Sequence, residues 1–273
     1  LENFDMKSAG HNSASSIHYL SEAMIRAFAD RAKYHGDPDF YDVPVENILS
    51  KDYASKTSKS ITSNLKTPPE LILAGDFKKA DESPDTTHLS VVDSDGNAVS
   101  LTYTLGSSFG SGVTVERAGF LLNNQMRNFS HYYGDTEAEF GTSEANKLEP
   151  NKRMISTQAP TMVFNPSGDL SIVLGSPGGG RIPNILTQVI SNVIDHDLGY
   201  AESVLVPRVN QRVADDLEVE SGISPDTLKL LESFSHIIRP TDTMGSVQAI
   251  FLKDNYLFGV ADTRRPNAIA KGK

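Results

Sequence analysis

Apolar and polar residues segregate along this chain with two periods. Residues 89–92 form a mainly apolar run bounded by polar residues, which enters Asp93-Ser94-Asp95-Gly96 and returns as Ala98-Val99-Ser100-Leu101-Thr102-Tyr103-Thr104. Two extended segments around an Asp/Gly turn predict a hairpin with Thr86 and Thr104 at the same end. A second hairpin is predicted at 160–164 and 170–174, and a last pair of strands at 247–252 and 256–260. Helical spacing governs 13–35, where Ile17, Leu20, Met24, Ala27, Phe28 and Ala32 fall on one face, with Ser13 as N-cap and Gly36 as stop. The wide apolar stripe of 181–198, including Ile182, Ile185, Val189 and Val193, predicts a helix packed on a sheet. Ser224-Pro225 opens another helix, through Leu228, Leu231 and Phe234.

Between these lie less regular stretches. Residues 51–85 are polar, with a short helix expected at 52–63, then Pro68-Pro69 and an acidic run over 76–85. Residues 131–150 read as a loop. Phe120-Leu121-Leu122 turns abruptly into Asn123-Asn124-Gln125, the profile of a strand delivering its end to a cleft. Strands and helices segregated in this way predict an α+β fold, antiparallel sheets covered by helices.

Charge narrows the partners. Lys and Arg number 25 against 35 Asp and Glu, a formal net charge of −10, which disfavours nucleic acid or an anionic membrane as main partner. No apolar run approaches the roughly 18 residues a membrane-spanning helix needs. Cysteine is absent, which removes disulfides, thiolate metal sites and a Cys nucleophile. The seven histidines show no metal-binding spacing, so neither a metal nor another cofactor is expected.

Candidate chemistry gathers at element ends. Gly175-Ser176-Pro177-Gly178-Gly179-Gly180-Arg181 joins a predicted strand to a predicted helix, so backbone N–H groups can converge where the helix end favours negative charge. Such turns also serve as plain connections or phosphate cradles, though no Walker lysine follows here. Ser156 and Thr157 form a hydroxyl pair at a strand entrance, commonly just a polar turn.

Five stretches share one resemblance: Thr86-Thr87-His88-Leu89-Ser90-Val91-Val92-Asp93, Leu121-Leu122-Asn123-Asn124-Gln125, the segment from Asn151 to Thr161, Gly175-Ser176-Pro177-Gly178-Gly179, and the segment from Ala29 to Phe40. Together they resemble the γ-glutamyltranspeptidase family over nearly the whole chain, least closely at 131–148 and after Arg264. The resemblance implies the αββα four-layer sandwich of the N-terminal-nucleophile hydrolases. It also implies a precursor that cuts itself at Asp85–Thr86, dividing the chain into 1–85, the end of a large subunit, and 86–273, a small subunit. Glu2-Asn3-Phe4-Asp5-Met6 resembles an interior stretch of that large subunit, so an upstream part is expected as partner, with an export signal and a periplasmic or secreted location; the cytoplasm stays open.

The cut has a physical purpose. A threonine hydroxyl needs an adjacent base, and a freed α-amino group at Thr86, with an ordinary pKa of about 7.7 to 8.0, is poised to act as one. By the same resemblance Thr104 hydrogen-bonds the nucleophile and Gly178 and Gly179 supply the oxyanion hole. Ser156 and Thr157 bind the donor's α-carboxylate, and Gln125 and Asn128 belong to the substrate pocket. The implied activity is transfer or hydrolysis of the γ-glutamyl group of glutathione-like donors, to water or to an amino-acid or peptide acceptor.

Two departures qualify that activity. The family usually has Asn where this chain has Gly106, and an Asp pair where it has Arg127-Asn128, the second Asp binding the donor's α-amine. A carboxylate on an ammonium is worth about 1.5–3 kcal/mol, and a neutral amide about half that. Donors lacking the amine, such as glutaryl amides, become credible, as in cephalosporin acylases of the family. An uncleaved, non-catalytic homologue is the remaining alternative.

Overall fold

The computed structural model describes residues 1–72, 86–130, 143–212 and 216–272. In chain order it holds α1 (Met6–Ala9), α2 (Ala14–Tyr34), α3 (Val45–Ile48), α4 (Lys51–Ser58), β1 (Thr86–Val92), β2 (Ala98–Thr104), β3 (Thr161–Phe164) and β4 (Leu170–Gly175). There follow α5 (Ile182–Ile194), α6 (Tyr200–Leu205), β5 (Val209–Asn210), β6 (Leu217–Glu220), α7 (Pro225–Ser233), β7 (Ile238–Thr241), β8 (Gln248–Lys253) and β9 (Tyr256–Ala261). These elements fall into two compact units: Leu1–Asp81, Met126–Ser156 and Val209–Asp242 make the first, and Glu82–Gln125, Thr157–Arg208 and Thr243–Lys273 the second. Segments from both sides of position 85 thus build the first unit.

The second unit is layered. Its antiparallel sheet, in the order β3-β4-β8-β9, packs one face on α5 through Ile172, Leu174, Ala249 and Phe251 against Ile182, Ile185 and Val189. The β1–β2 ribbon sits on the other face, where Ser90 Oγ donates to Gln248 O (3.1 Å) and Ser100 Oγ to Leu174 O (3.0 Å). The ribbon is turned polar side in: Thr86, His88 and Thr102 are buried, while Leu89, Val91, Val99, Leu101 and Tyr103 are exposed. One helical and two β layers of the αββα arrangement are therefore present among the described residues of this unit. Buried Arg208 braces it, donating to Met244 O (2.7 Å), Val204 O (2.6 Å) and Asp262 Oδ2 (2.7 Å).

The first unit centres on α2. Ser13 Oγ caps it by accepting from Ser16 N–H, and the helix ends at Tyr34 with His35 as C-cap, one residue before the expected stop. Its apolar face, Ile17, Leu20 and Met24, packs with Val209, Leu217, Val219 and Leu231. His18 and His236 form a buried pair, His18 Nδ1 lying 2.8 Å from His236 Nε2, and burial, reinforced by His18, pushes His236 down to about 4.

Several expectations need correction. Residues 120–122 form no strand: Leu121 makes a single bridge to Thr114, because Gly110, Gly112 and Gly119 adopt left-handed backbone and fold 109–122 into a tight loop. The helix expected at 52–63 ends at Ser58, and that of 181–198 ends at Ile194, the chain turning at Asp197 with φ 55°. The sheets are not all antiparallel, since β6 pairs parallel with β7 across α7. That sheet, β5-β6-β7, was hidden by its composition: β6 is Leu-Glu-Val-Glu with every residue buried, and Glu218 accepts from Asn210 Nδ2 (2.7 Å). The acidic run, Asp85 and most of the 131–150 loop lie outside the described residues. No described helix is long and apolar enough to cross a membrane.

Candidate active site

The hairpin brings two hydroxyls together. β1 and β2 pair in register from Thr86↔Thr104 to Val92↔Ala98, so the last residue of one strand stands opposite the first of the other. Thr86 Oγ1 donates to Thr104 Oγ1 at 3.2 Å, and Thr104 Oγ1 also accepts the Gly106 N–H at 3.0 Å. Thr86 is buried, and its carbonyl oxygen accepts from Arg265 Nη1 (2.7 Å), a contact that sequence reasoning missed because the resemblance is poorest after Arg264.

Behind the hydroxyls lies an imidazole brace. His88 Nε2 faces Ser90 Oγ (3.1 Å), whose own proton goes to Gln248 O, so the ring carries its hydrogen on Nε2 and accepts from Thr102 Oγ1 at Nδ1 (2.9 Å). Burial pushes His88 down to about 4, and it is neutral at pH 7. The ring lies flat against Gly175: a Cβ there would meet His88 Cε1 at 2.1 Å. Glycine at 175 thus joins the strand bearing Thr86 to the root of the glycine turn.

Gly178 and Gly179 lead that turn into α5 with φ 142° and 57°, backbone reserved for glycine, and the segment Gly179–Arg181 tightens into a 3₁₀ turn before the helix. Buried Ser176 fixes it by donating to Pro177 O (2.6 Å) and accepting from Ser246 N–H (3.0 Å). Gly245 leaves the necessary space, since a Cβ there would meet Pro177 O and Ser176 Oγ at 2.6 Å. Consecutive N–H groups at a helix start suit a developing oxyanion.

The other expected site residues divide between the units. Gln125 and Thr157, both half-buried, belong to the second; Asn128, buried, and Ser156, exposed, belong to the first. Within the first unit Asn128 directs Nδ2 at Met154 Sδ (3.6 Å), while its carbonyl accepts from Asn146 Nδ2 (2.7 Å). Asn146 Oδ1 in turn accepts Ile155 N–H (3.1 Å). Asp37 pins the segment leading to Ser156, accepting from Arg153 N–H (2.7 Å), Nε (3.0 Å) and Nη2 (2.5 Å). Those bonds from Arg153 hold the Asp37 carboxyl well below its ordinary range. A cavity of about 530 Å³ lies here, lined by Asp37, Val45, Leu49, Arg153, Met154 and Ser156 among others. Among the described residues no group of three or more His, Asp or Glu side chains could hold a metal ion.

The layered α+β arrangement, together with its similarity to solved γ-glutamyltranspeptidases, is that of the N-terminal-nucleophile hydrolase fold. The γ-glutamyltranspeptidase family model matches residues 1–272, and the chain belongs to that family. It is similar to the glutathione hydrolase proenzyme of Escherichia coli K12, 43% identical over 276 residues, covering 100% of this chain and 47% of that protein. It is also similar to the acylase ACY 1 proenzyme of Pseudomonas sp. SE83, 35% identical over 100% of this chain and 47% of the relative. The chain thus spans about half the length of these relatives. Among solved structures, the γ-glutamyltranspeptidase of Pseudomonas nitroreducens complexed with L-DON superposes with a TM-score of 0.63 at 38% identity, over 68% of this chain and 100% of that one. The cephalosporin acylase of Bacillus halodurans superposes with a TM-score of 0.77 at 26% identity, over 96% of this chain and 46% of that one.

Proposed function

We propose that the protein is a γ-glutamyl amidohydrolase and transferase whose nucleophile is Thr86, released by cleavage of the Asp85–Thr86 bond. Thr86 Oγ1 attacks the γ-amide of a glutathione-like donor, and its own α-amine takes the hydroxyl proton. The Gly178 and Gly179 N–H groups hold the tetrahedral oxyanion, a contribution of about 100- to 1000-fold per donor in comparable sites. The amine returns the proton to the leaving nitrogen, the C–N bond breaks, and an acyl-threonine remains. Water or an acceptor amine, deprotonated by the same base, then releases the acyl group. Ser156 and Thr157 meet the donor's α-carboxylate, Gln125 belongs to the same pocket, and Asn128 contacts the amino end. The observation that carries this reading is the 3.2 Å contact between Thr86 Oγ1 and Thr104 Oγ1.

Intact mass and amino-terminal sequencing of the purified full-length protein test it directly. The expected result is two fragments, one beginning at Thr86, with γ-glutamyl anilide turnover, and an uncut, inactive T86A variant. An active protein that remains a single chain would refute the mechanism, and an uncut, inactive parent would favour a non-catalytic homologue.

A second reading, an acylase for glutaryl-type amides, is favoured by neutral Asn128 beside Met154 and by the acylases among the relatives. Parallel kinetics with γ-glutamyl and glutaryl anilides separate the two.

A further inference from the structure

The turn after β2 is held by a residue that the reaction scheme leaves unused. Thr104 meets the nucleophile with its oxygen oriented by the Gly106 N–H, so the geometry of that hydroxyl depends on where residues 105–107 lie. Asn124 holds both flanks of Gly106. Its main-chain N–H donates to Leu105 O (2.9 Å), its Oδ1 accepts the Ser107 N–H (2.9 Å), and its Nδ2 donates to Ser107 Oγ (2.9 Å). The carboxamide also occupies the space where a side chain of residue 106 would begin, since a Cβ there would lie 2.0 Å from Asn124 Oδ1. Gly106 has φ +94°, a conformation that suits glycine. The glycine and the asparagine are two halves of one device: the first vacates a volume and the second fills it with a clamp.

We infer that Asn124 is a positioning residue for the nucleophile, setting the Gly106 N–H on Thr104 and through it the hydroxyl pair. The inference rests on the reading of Thr86 as nucleophile. Asn124 acts through the turn, so its loss disturbs alignment in the chemical step rather than capture of the donor.

In the full-length enzyme, N124A is expected to lower kcat for a γ-glutamyl anilide by about 10- to 100-fold while KM moves less than about threefold. N124D, whose carboxylate accepts from both the N–H and the hydroxyl of Ser107, is expected to stay within about fivefold of the parent kcat. G106A is expected to lose activity as N124A does, and G106A/N124A to be no worse than either alone, the signature of a coupled pair. Should N124A fail to fold and mature, S107A, which removes one of the clamp's bonds, carries the same kcat-only expectation at smaller loss. A parent without a new terminus at Thr86 overturns the nucleophile reading and this inference with it. A processed, active parent overturns this inference alone if N124A and S107A match it, if their loss lies in KM, or if N124D is no better than N124A.

Discussion

Along the inner side of the β1–β2 ribbon polar atoms answer to backbone: Thr104 Oγ1 to the Gly106 N–H, Ser90 to Gln248 O and Ser100 to Leu174 O. Around Asn128 two neighbours are side chains: Asn146 on its carbonyl and Met154 beside its carboxamide. One of them, the Met154 thioether, is a weak acceptor 3.6 Å from Asn128 Nδ2. The difference separates two tasks. On the proposed reading, geometry for bond making would be written into the fold and tolerate little change, whereas the choice of donor would depend on side chains that can be exchanged on an intact scaffold.

The sharpest way to break that comparison is G175A. A methyl group 2.1 Å from His88 Cε1 must displace the ring that braces the ribbon. Overpacking of this kind costs about 1–3 kcal/mol or more, and turnover is expected to fall at least about 100-fold as the strand bearing Thr86 shifts. Adding H88A should recover part of the lost melting temperature. A G175A protein as active and stable as the parent would show that the ribbon is not rigidly held.

N128D sharpens the other side. A restored carboxylate is worth roughly 0.7–1.5 kcal/mol more than an amide on a substrate ammonium, so preference for γ-glutamyl over glutaryl anilide should rise about three- to tenfold. An unchanged ratio would mean that residue 128 does not meet the donor's amine.

A further test is acid stability. His88 and His236 are each held near 4 by burial, so between about pH 6.5 and pH 4 the unfolded chain binds protons that the folded chain refuses. Stability therefore falls as pH drops through that window, and melting temperature followed over it should decline more steeply in the parent than in H88Q. Asp37, held low by Arg153, adds its own loss only as pH falls below the ordinary carboxylate pKa near 4. A flat melting curve from pH 6.5 to 4.5 would mean that the imidazoles are not kept neutral.

Much of this was legible in the sequence because it follows local rules. The three hairpin pairings, the Ser13 cap and the apolar stripe of α5 come from turn chemistry and periodicity, and Thr86 and Thr104 met because a two-strand register leaves no choice. What stayed hidden depends on contacts distant in sequence. Arg265 reaches Thr86 across 179 positions, Gly175 is demanded by His88, and Asp37 anchors Arg153. Glu218 and Glu220 interrupt the apolar pattern of β6, yet both are buried, and Glu218 accepts from Asn210 Nδ2. The segment 120–122 misled for the opposite reason, its apolar residues lying in a glycine-built loop rather than a ladder.

The pairing of β1 begins at its very first residue, with Thr86 directly opposite Thr104. Chain ends ordinarily fray, and a reactive group placed on one would spend much of its time adrift. Here a newly made end would have no slack: six further rungs and the grip of Arg265 on the carbonyl would moor it from the moment it is created. Maturation would then change what the first residue is chemically while leaving it where it already stood.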